Sequence, residues 1–262
     1  MRSPAAVFDL RTALSGEVSA ALNQLEAAND EAKALHRCRL HLKRARTLAK
    51  IGAAAAPGLA GMFEQGAPAC MRALAPARHR AALSALARKA AKRQRKRAAA
   101  ALRATAEALA ADGASVDADS LERARAGLRD LLALAQVWPE PSPRQVARGA
   151  DRIKHAARRA RRRGCGAGSM ALRHDWRKRE KERLFAAELL GPAWPARRRR
   201  KHLRRLEATL GEERDLYLLI AQLEAQTETS AHKDALRALR QRKRKLMKRA
   251  DALGAKLRTL RA

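Results

Sequence analysis

The sequence predicts an all-α protein, and three observations carry that prediction. Alanine, the best helix former, occurs 63 times in 262 residues, whereas Val and Ile, which suit a pleated surface, together occur eight times. Apolar residues recur every three or four positions through most of the chain. Proline, glycine and Asn-Asp clusters break this period at intervals suited to helices of ordinary length. A β-rich fold is excluded. Leu, Ile, Val and Phe supply only 47 residues, so the core is expected to be thin and built from Leu and Ala.

The elements follow in order. Ser3-Pro4 opens a first amphipathic helix on Val7, Leu10, Leu14, Val18, Leu22 and Leu25. Asn29-Asp30 ends it, and a second helix is expected from Glu31 to Ile51. Gly52, Pro57, Gly58, Gly61 and Gly66 then break the pattern, and Pro68 and Pro76 bracket only a short helical piece. One long basic helix is expected over 80–111, stopped by Asp112-Gly113, and another over 118–137. Trp138-Pro139-Glu140-Pro141-Ser142-Pro143 removes the backbone donors that a continuous helix needs. It is taken as a linker, 138–143, between a four-helix half at 1–137 and a second at 144–262, with helices near 144–163, 169–190, 196–226 and 231–261.

Charge narrows the class of partner. The chain has 58 Lys and Arg against 26 Asp and Glu, a net charge of +32, with 35 of the basic residues after position 137. Such a body repels itself and is relieved by binding an anionic polymer. Cys38, Cys70 and Cys165 lack metal-ligand spacing, and with no signal peptide at the start a reducing cytoplasm is expected. No apolar stretch reaches membrane-spanning length. No metal or cofactor is expected.

A repeated constellation locates the anion site. His36, Arg39, Lys43, Arg46 and Lys50 follow helical offsets 0, 3, 7, 10 and 14, while Leu35, Cys38, Leu42, Ala45 and Ala49 follow the same offsets one residue earlier. One stripe can enter a core while its neighbour faces an anion. His174, Arg177 and Lys181 repeat the first three steps, with Lys178 beside them. Downstream, Leu74-Ala75-Pro76-Ala77-Arg78-His79 aligns with Leu210-Gly211-Glu212-Glu213-Arg214-Asp215 at nearly matched distances from the two histidines. Ordered landmarks at matched separations point to an internal duplication.

These residues, with Arg44 in the run Lys43-Arg44-Ala45-Arg46 and the basic run Arg152 to Arg163, resemble the CHAD family, the conserved histidine α-helical domain. The resemblance covers nearly the whole chain. It implies two pseudo-symmetric four-helix bundles with a basic groove or pore that binds inorganic polyphosphate and targets polyphosphate granules. Carried over by position, it assigns His36, Arg39, Lys43, Arg44 and Arg46 to one wall, and His174, Arg177, Lys178 and Lys181 to the other. Arg78 and Arg214 match the downstream arginine. By their position on the next helix Lys201, Arg204 and Arg205 are expected to reach the same groove, and Asp215 is expected to fix a neighbouring arginine by a salt bridge. His79 departs from the family's usual Asp, and Glu182 and Leu184 stand where basic residues are common.

The residue types suit that ligand. Polyphosphate presents charged oxygens and no flat apolar face, so it calls for the planar fork of Arg and the mobile ammonium of Lys. The alternative is a protein that binds the backbone of RNA or DNA, since any helical body this basic associates with nucleic acid non-specifically. Seven aromatic residues, not interleaved with the basic runs, leave little for base stacking. Catalysis is not expected: no Walker-type loop occurs, and the Glu-x-Glu-x-Lys strand of the triphosphatases sometimes fused to CHAD domains is missing.

Overall fold

Where the apolar period is unbroken, the chain coils as expected. The computed structural model describes residues 8–26, 31–111, 116–194, 200–226 and 229–259, without the side chains at 31–32, 75–81, 200 and 258–259. Among these residues there are ten α-helices and no strand: α1 Leu10–Glu26, α2 Glu31–Gly52, α3 Pro57–Ala73, α4 Ala75–Ala91, α5 Lys96–Ala111, α6 Ala118–Gln136, α7 Pro143–Gly164, α8 Met170–Leu189, α9 Arg200–Glu224 and α10 Ser230–Thr259. No helix among them is long and apolar enough to cross a membrane.

Two expectations fail locally. The glycine-rich stretch after α2 is helical, not broken: Pro57 sits at the first helical position, and α3 runs on through Pro68. Each glycine costs about 1 kcal/mol relative to Ala, but Ala60, Phe63, Ala67, Cys70 and Met71 are buried along one face and offset it. The long helix over 80–111 is instead two, parted at Lys92–Arg95 by a tight turn in which Arg93 and Gln94 donate to the carbonyls of Ala90 and Ala91. Lys89, Lys92, Arg93, Lys96 and Arg97 would have stacked like charges three and four residues apart on a continuous helix. The segment before Pro143 therefore holds six helices and the segment after Ser142 holds four.

The helices group into two compact units, each drawn from both sides of the proline-rich segment. The first comprises Met1–Ala75, Val116–Arg159 and Arg179–Arg200. Within it α1 packs on α2 and α6, and α3 packs on the same two, closing a four-helix ring. Leu10, Leu14, Val18 and Leu25 of α1 meet the expected inward stripe of α2, Leu35, Cys38, Leu42, Ala45 and Ala49, all of them buried. Trp138 is fully buried, edge-on to Phe63 at 5.7 Å, and its carbonyl accepts from Arg11 Nε at 2.7 Å. It is a packing residue. Pro143 opens α7, whose start is fixed by a reciprocal cap: Ser142 N donates to Gln145 Oε1 at 2.8 Å and Gln145 N donates to Ser142 Oγ at 3.4 Å.

The crossing of α7 and the last turn of α2 depends on Gly149. A Cβ there would stand 2.2 Å from the carbonyl oxygen of Ile51. Gly149→Ala must push two backbones apart and is expected to cost about 1–3 kcal/mol. A lower urea midpoint at unchanged slope would register it, and an unchanged midpoint would refute the close approach.

The second unit comprises Pro76–Ser115, Ala160–Lys178 and Lys201–Ala262. Here α5 packs on α10, and the core joins Leu83 and Ala87 of α4, Leu102 and Ala106 of α5, Leu216, Leu219 and Leu223 of α9, and Leu239 and Leu246 of α10. Trp176 is buried between glycines: a Cβ at Gly254 would lie 2.8 Å from its ring and one at Gly164 2.8 Å from its Cβ.

Candidate functional site

In the first unit, the cationic stripe of α2 lies at the rim as expected, but much of it is already engaged. Arg44 Nε donates to Glu17 Oε1 at 2.7 Å, and its Nη1 lies 3.8 Å from Glu188. Arg46 grips both oxygens of Glu64, at 3.2 and 3.1 Å. Lys50 pairs with Glu182 and stands 3.5 Å from Glu64. Burial raises the carboxyl pKa of Glu64, but the bonds from Arg46 and Lys50 outweigh it and hold the group below the usual range. Arg39 donates to the carbonyl of Met71, closing the last turn of α3. His36 is exposed and Lys43 half-buried. Lys181 also belongs to this unit, its ammonium 5.5 Å from the centroid of Phe185.

In the second unit, the landmark residues of α8 and α9 come together, and a buried ion pair is what joins them. Arg173 is 1% exposed and donates from Nε and Nη2 to the two oxygens of Glu213 at 2.5 and 2.8 Å, while its Nη1 reaches Asp251 at 2.7 Å. Arg173 precedes His174 and Glu213 precedes Arg214, so the clamp sets the next residue of each helix beside its counterpart. Arg177 lies one turn along α8, facing Gly211, where a Cβ would be 3.9 Å from its Nε.

His174 carries the electrostatic signature of this cluster. Burial lowers its pKa, and the positive charges of Arg214, Arg177 and Lys178 lower it further against the weaker pull of Asp175. Its Nδ1 and the Nε of Arg177 are buried without a hydrogen-bond partner. Crowded cations beside unpaired polar atoms favour the approach of an anion.

Lys178 is exposed on α8 within the cluster, and Lys201, Arg204, Arg205 and Asp215 are exposed on α9. The side chains of Arg78 and His79 lie outside the described residues, as do residues 197–199 of the arginine run. Sequence reasoning passed over Arg173 and Glu213, although their separation, 40 residues, equals that of His174 and Arg214. Among the aromatic residues that the sequence sets apart from the basic runs, Tyr217 has two cations over its ring, Arg214 at 5.1 Å and Lys243 at 5.2 Å. Among the described residues no group of His, Cys, Asp and Glu is arranged to hold a metal.

No family model and no curated protein matches the sequence. Among solved structures, PptA from Streptomyces chartreusis matches with a TM-score of 0.61 at 18% identity, over 94% of this chain and 96% of its own. The chain shares the fold of PptA. Within it, the first histidine motif lies on α2, the second on α8, and the Leu210–Leu216 motif on α9.

Proposed function

We propose that the chain is a non-catalytic binder of inorganic polyphosphate that works in the cytoplasm at polyphosphate granules. The cluster of His174, Arg177, Lys178 and Arg214 carries this reading, because it gathers charge and open donors in one place without a carboxylate gripping them. The fold shared with PptA and the resemblance of the motifs to the CHAD family support it. A regular row of phosphate oxygens satisfies several such donors at once, and each charge-assisted bond contributes about 1.5–3 kcal/mol. Trp138, Trp176, Trp194, Phe63 and Phe185 are buried, which leaves little for stacking bases and disfavours a nucleic-acid reader.

Isothermal titration with polyphosphates of graded length at moderate salt tests the proposal. Affinity is expected to rise with chain length, and long chains are expected to displace RNA and DNA. Displacement in the opposite direction would favour a nucleic-acid binder, and phosphate release in the presence of Mg²⁺ would overturn the non-catalytic reading.

The depressed pKa of His174 gives the proposal a pH signature. The free site keeps the imidazole neutral, and an adjacent phosphate row restores the charged form, so binding takes up a proton. Affinity is expected to increase as pH falls from about 8 toward 6, by at most about tenfold per unit for one proton. Without ligand the sign reverses for stability: the unfolded chain accepts this proton more readily, so stability is lost as pH drops below the ordinary histidine value. Titrations in buffers of different ionisation enthalpy measure the uptake directly. A binding enthalpy independent of buffer would exclude it.

A further inference from the structure

We infer that the groove between α9 and α10 of the second unit, which adjoins the polyphosphate cluster at Arg214, is a further site for a nucleoside polyphosphate, such as a ribonucleoside triphosphate. The groove encloses about 390 Å³, within the range of small-ligand sites. Its two walls differ in chemistry. From α9, Tyr217, Ile220 and Ala221 stand at offsets 0, 3 and 4 and form an apolar, partly aromatic wall, with Tyr217 half-buried, Ala221 exposed and Ile220 buried beneath them. From α10, Arg240, Lys243 and Arg244 stand at the same offsets and form a cationic wall. Polyphosphate has no use for the first wall. A ligand with a flat, weakly polar head and an anionic tail uses both.

The polarity along the groove orients such a ligand. At one end Glu224 accepts from Arg240 Nη2 at 2.6 Å, a neutralised pair whose carboxylate repels phosphate. At the other, Lys243 and Arg214 flank the Tyr217 ring at 5.2 and 5.1 Å, and Arg244 is exposed beside them. The helix rises about 10 Å between Tyr217 and Glu224, roughly the reach of a nucleoside. The phosphates therefore belong at Lys243 and Arg244 and the base along Ile220 and Ala221, toward Glu224. Tyr217, with its two cations over the ring, lines the phosphate end.

Calorimetric titration of the full chain with ATP, inorganic triphosphate and long-chain polyphosphate tests this. ATP is expected to bind one to one and about tenfold or more tighter than triphosphate, because only ATP fills the apolar wall. Lys243→Ala with Arg244→Ala is expected to weaken ATP about tenfold or more. Ala221→Glu is expected to do the same by intruding on the base, with the helical fold checked by circular dichroism. His174→Ala with Arg177→Ala is expected to weaken polyphosphate and leave ATP binding in place. Equal affinity for triphosphate and ATP, or ATP binding that survives both groove variants, would overturn the inference. So would joint loss of ATP and polyphosphate in the His174 variant. A chain that binds ATP in this way but ignores polyphosphate would instead refute the function proposed above and leave the nucleotide site standing.

Discussion

Replacing His174, Arg177 and Arg214 together by alanine is expected to weaken polyphosphate binding by about a thousandfold or more. Three donors to charged oxygens, at about 1.5 kcal/mol each as a lower bound, exceed about 4 kcal/mol. The loss should be larger than that from changing α2. Arg44, Arg46 and Lys50 are bound to Glu17, Glu64 and Glu182, so phosphate reaching them must first break those pairs. Each gain is reduced accordingly, and Arg44→Ala with Arg46→Ala is expected to cost about tenfold or less. Titration of the two variants side by side reads the contrast. Equal losses would mean that the carboxylates paired with the α2 cations do not compete, and a larger loss from α2 would move the principal site to the first unit.

The second large effect concerns stability. Glu213→Ala is expected to destabilise the protein by about 3–5 kcal/mol, the usual cost of leaving one partner of a buried ion pair without the other. Arg173 keeps Asp251 and the carbonyls of Gly164 and Met247, but the bidentate bonds that carry it through the core are lost. Urea unfolding followed by circular dichroism measures the change. Arg173→Met with Glu213→Leu supplies the control: removing both charges and filling the space should recover most of the stability. The double variant would still lose the alignment of His174 with Arg214, so its imidazole, followed by NMR, should titrate closer to the ordinary value. A His174 titration unchanged in the double variant would show that the clamp holds the fold and does not position the site.

Much of this arrangement is legible in the residue pattern, and the exceptions have physical causes. The paired stripes of α2 are read correctly because a 3.6-residue period fixes which side chains share a face, whatever packs against them. α3 is missed because its glycines weaken helix propensity, and only its packing with α2 and α6, which no local window contains, restores the helix. The break at Lys92–Arg95 escapes because alanine-rich flanks mask the repulsion between stacked cations. At the site, the basic residues are visible but their counter-charges are not: Glu17, Glu182 and Glu188 lie far along the sequence from the arginines and lysine they meet. Tyr217 looks like packing because the cation that completes its environment, Lys243, belongs to another helix.

The interleaving of the two units bears on how the chain is made. The first unit is incomplete until residues 179–200 are available, and the second until 201–262 are. A ribosome must therefore release most of the polypeptide before either unit is complete, although the ring of α1, α2, α3 and α6 can close once residue 136 has emerged. Early folding has to rest on local hairpins, and a nascent chain this basic will meet the ribosome's own RNA while it waits. Severing the gene at the proline-rich segment would give two products that each lack pieces of both cores, so a chaperone requirement or insolubility is the expected fate of either fragment.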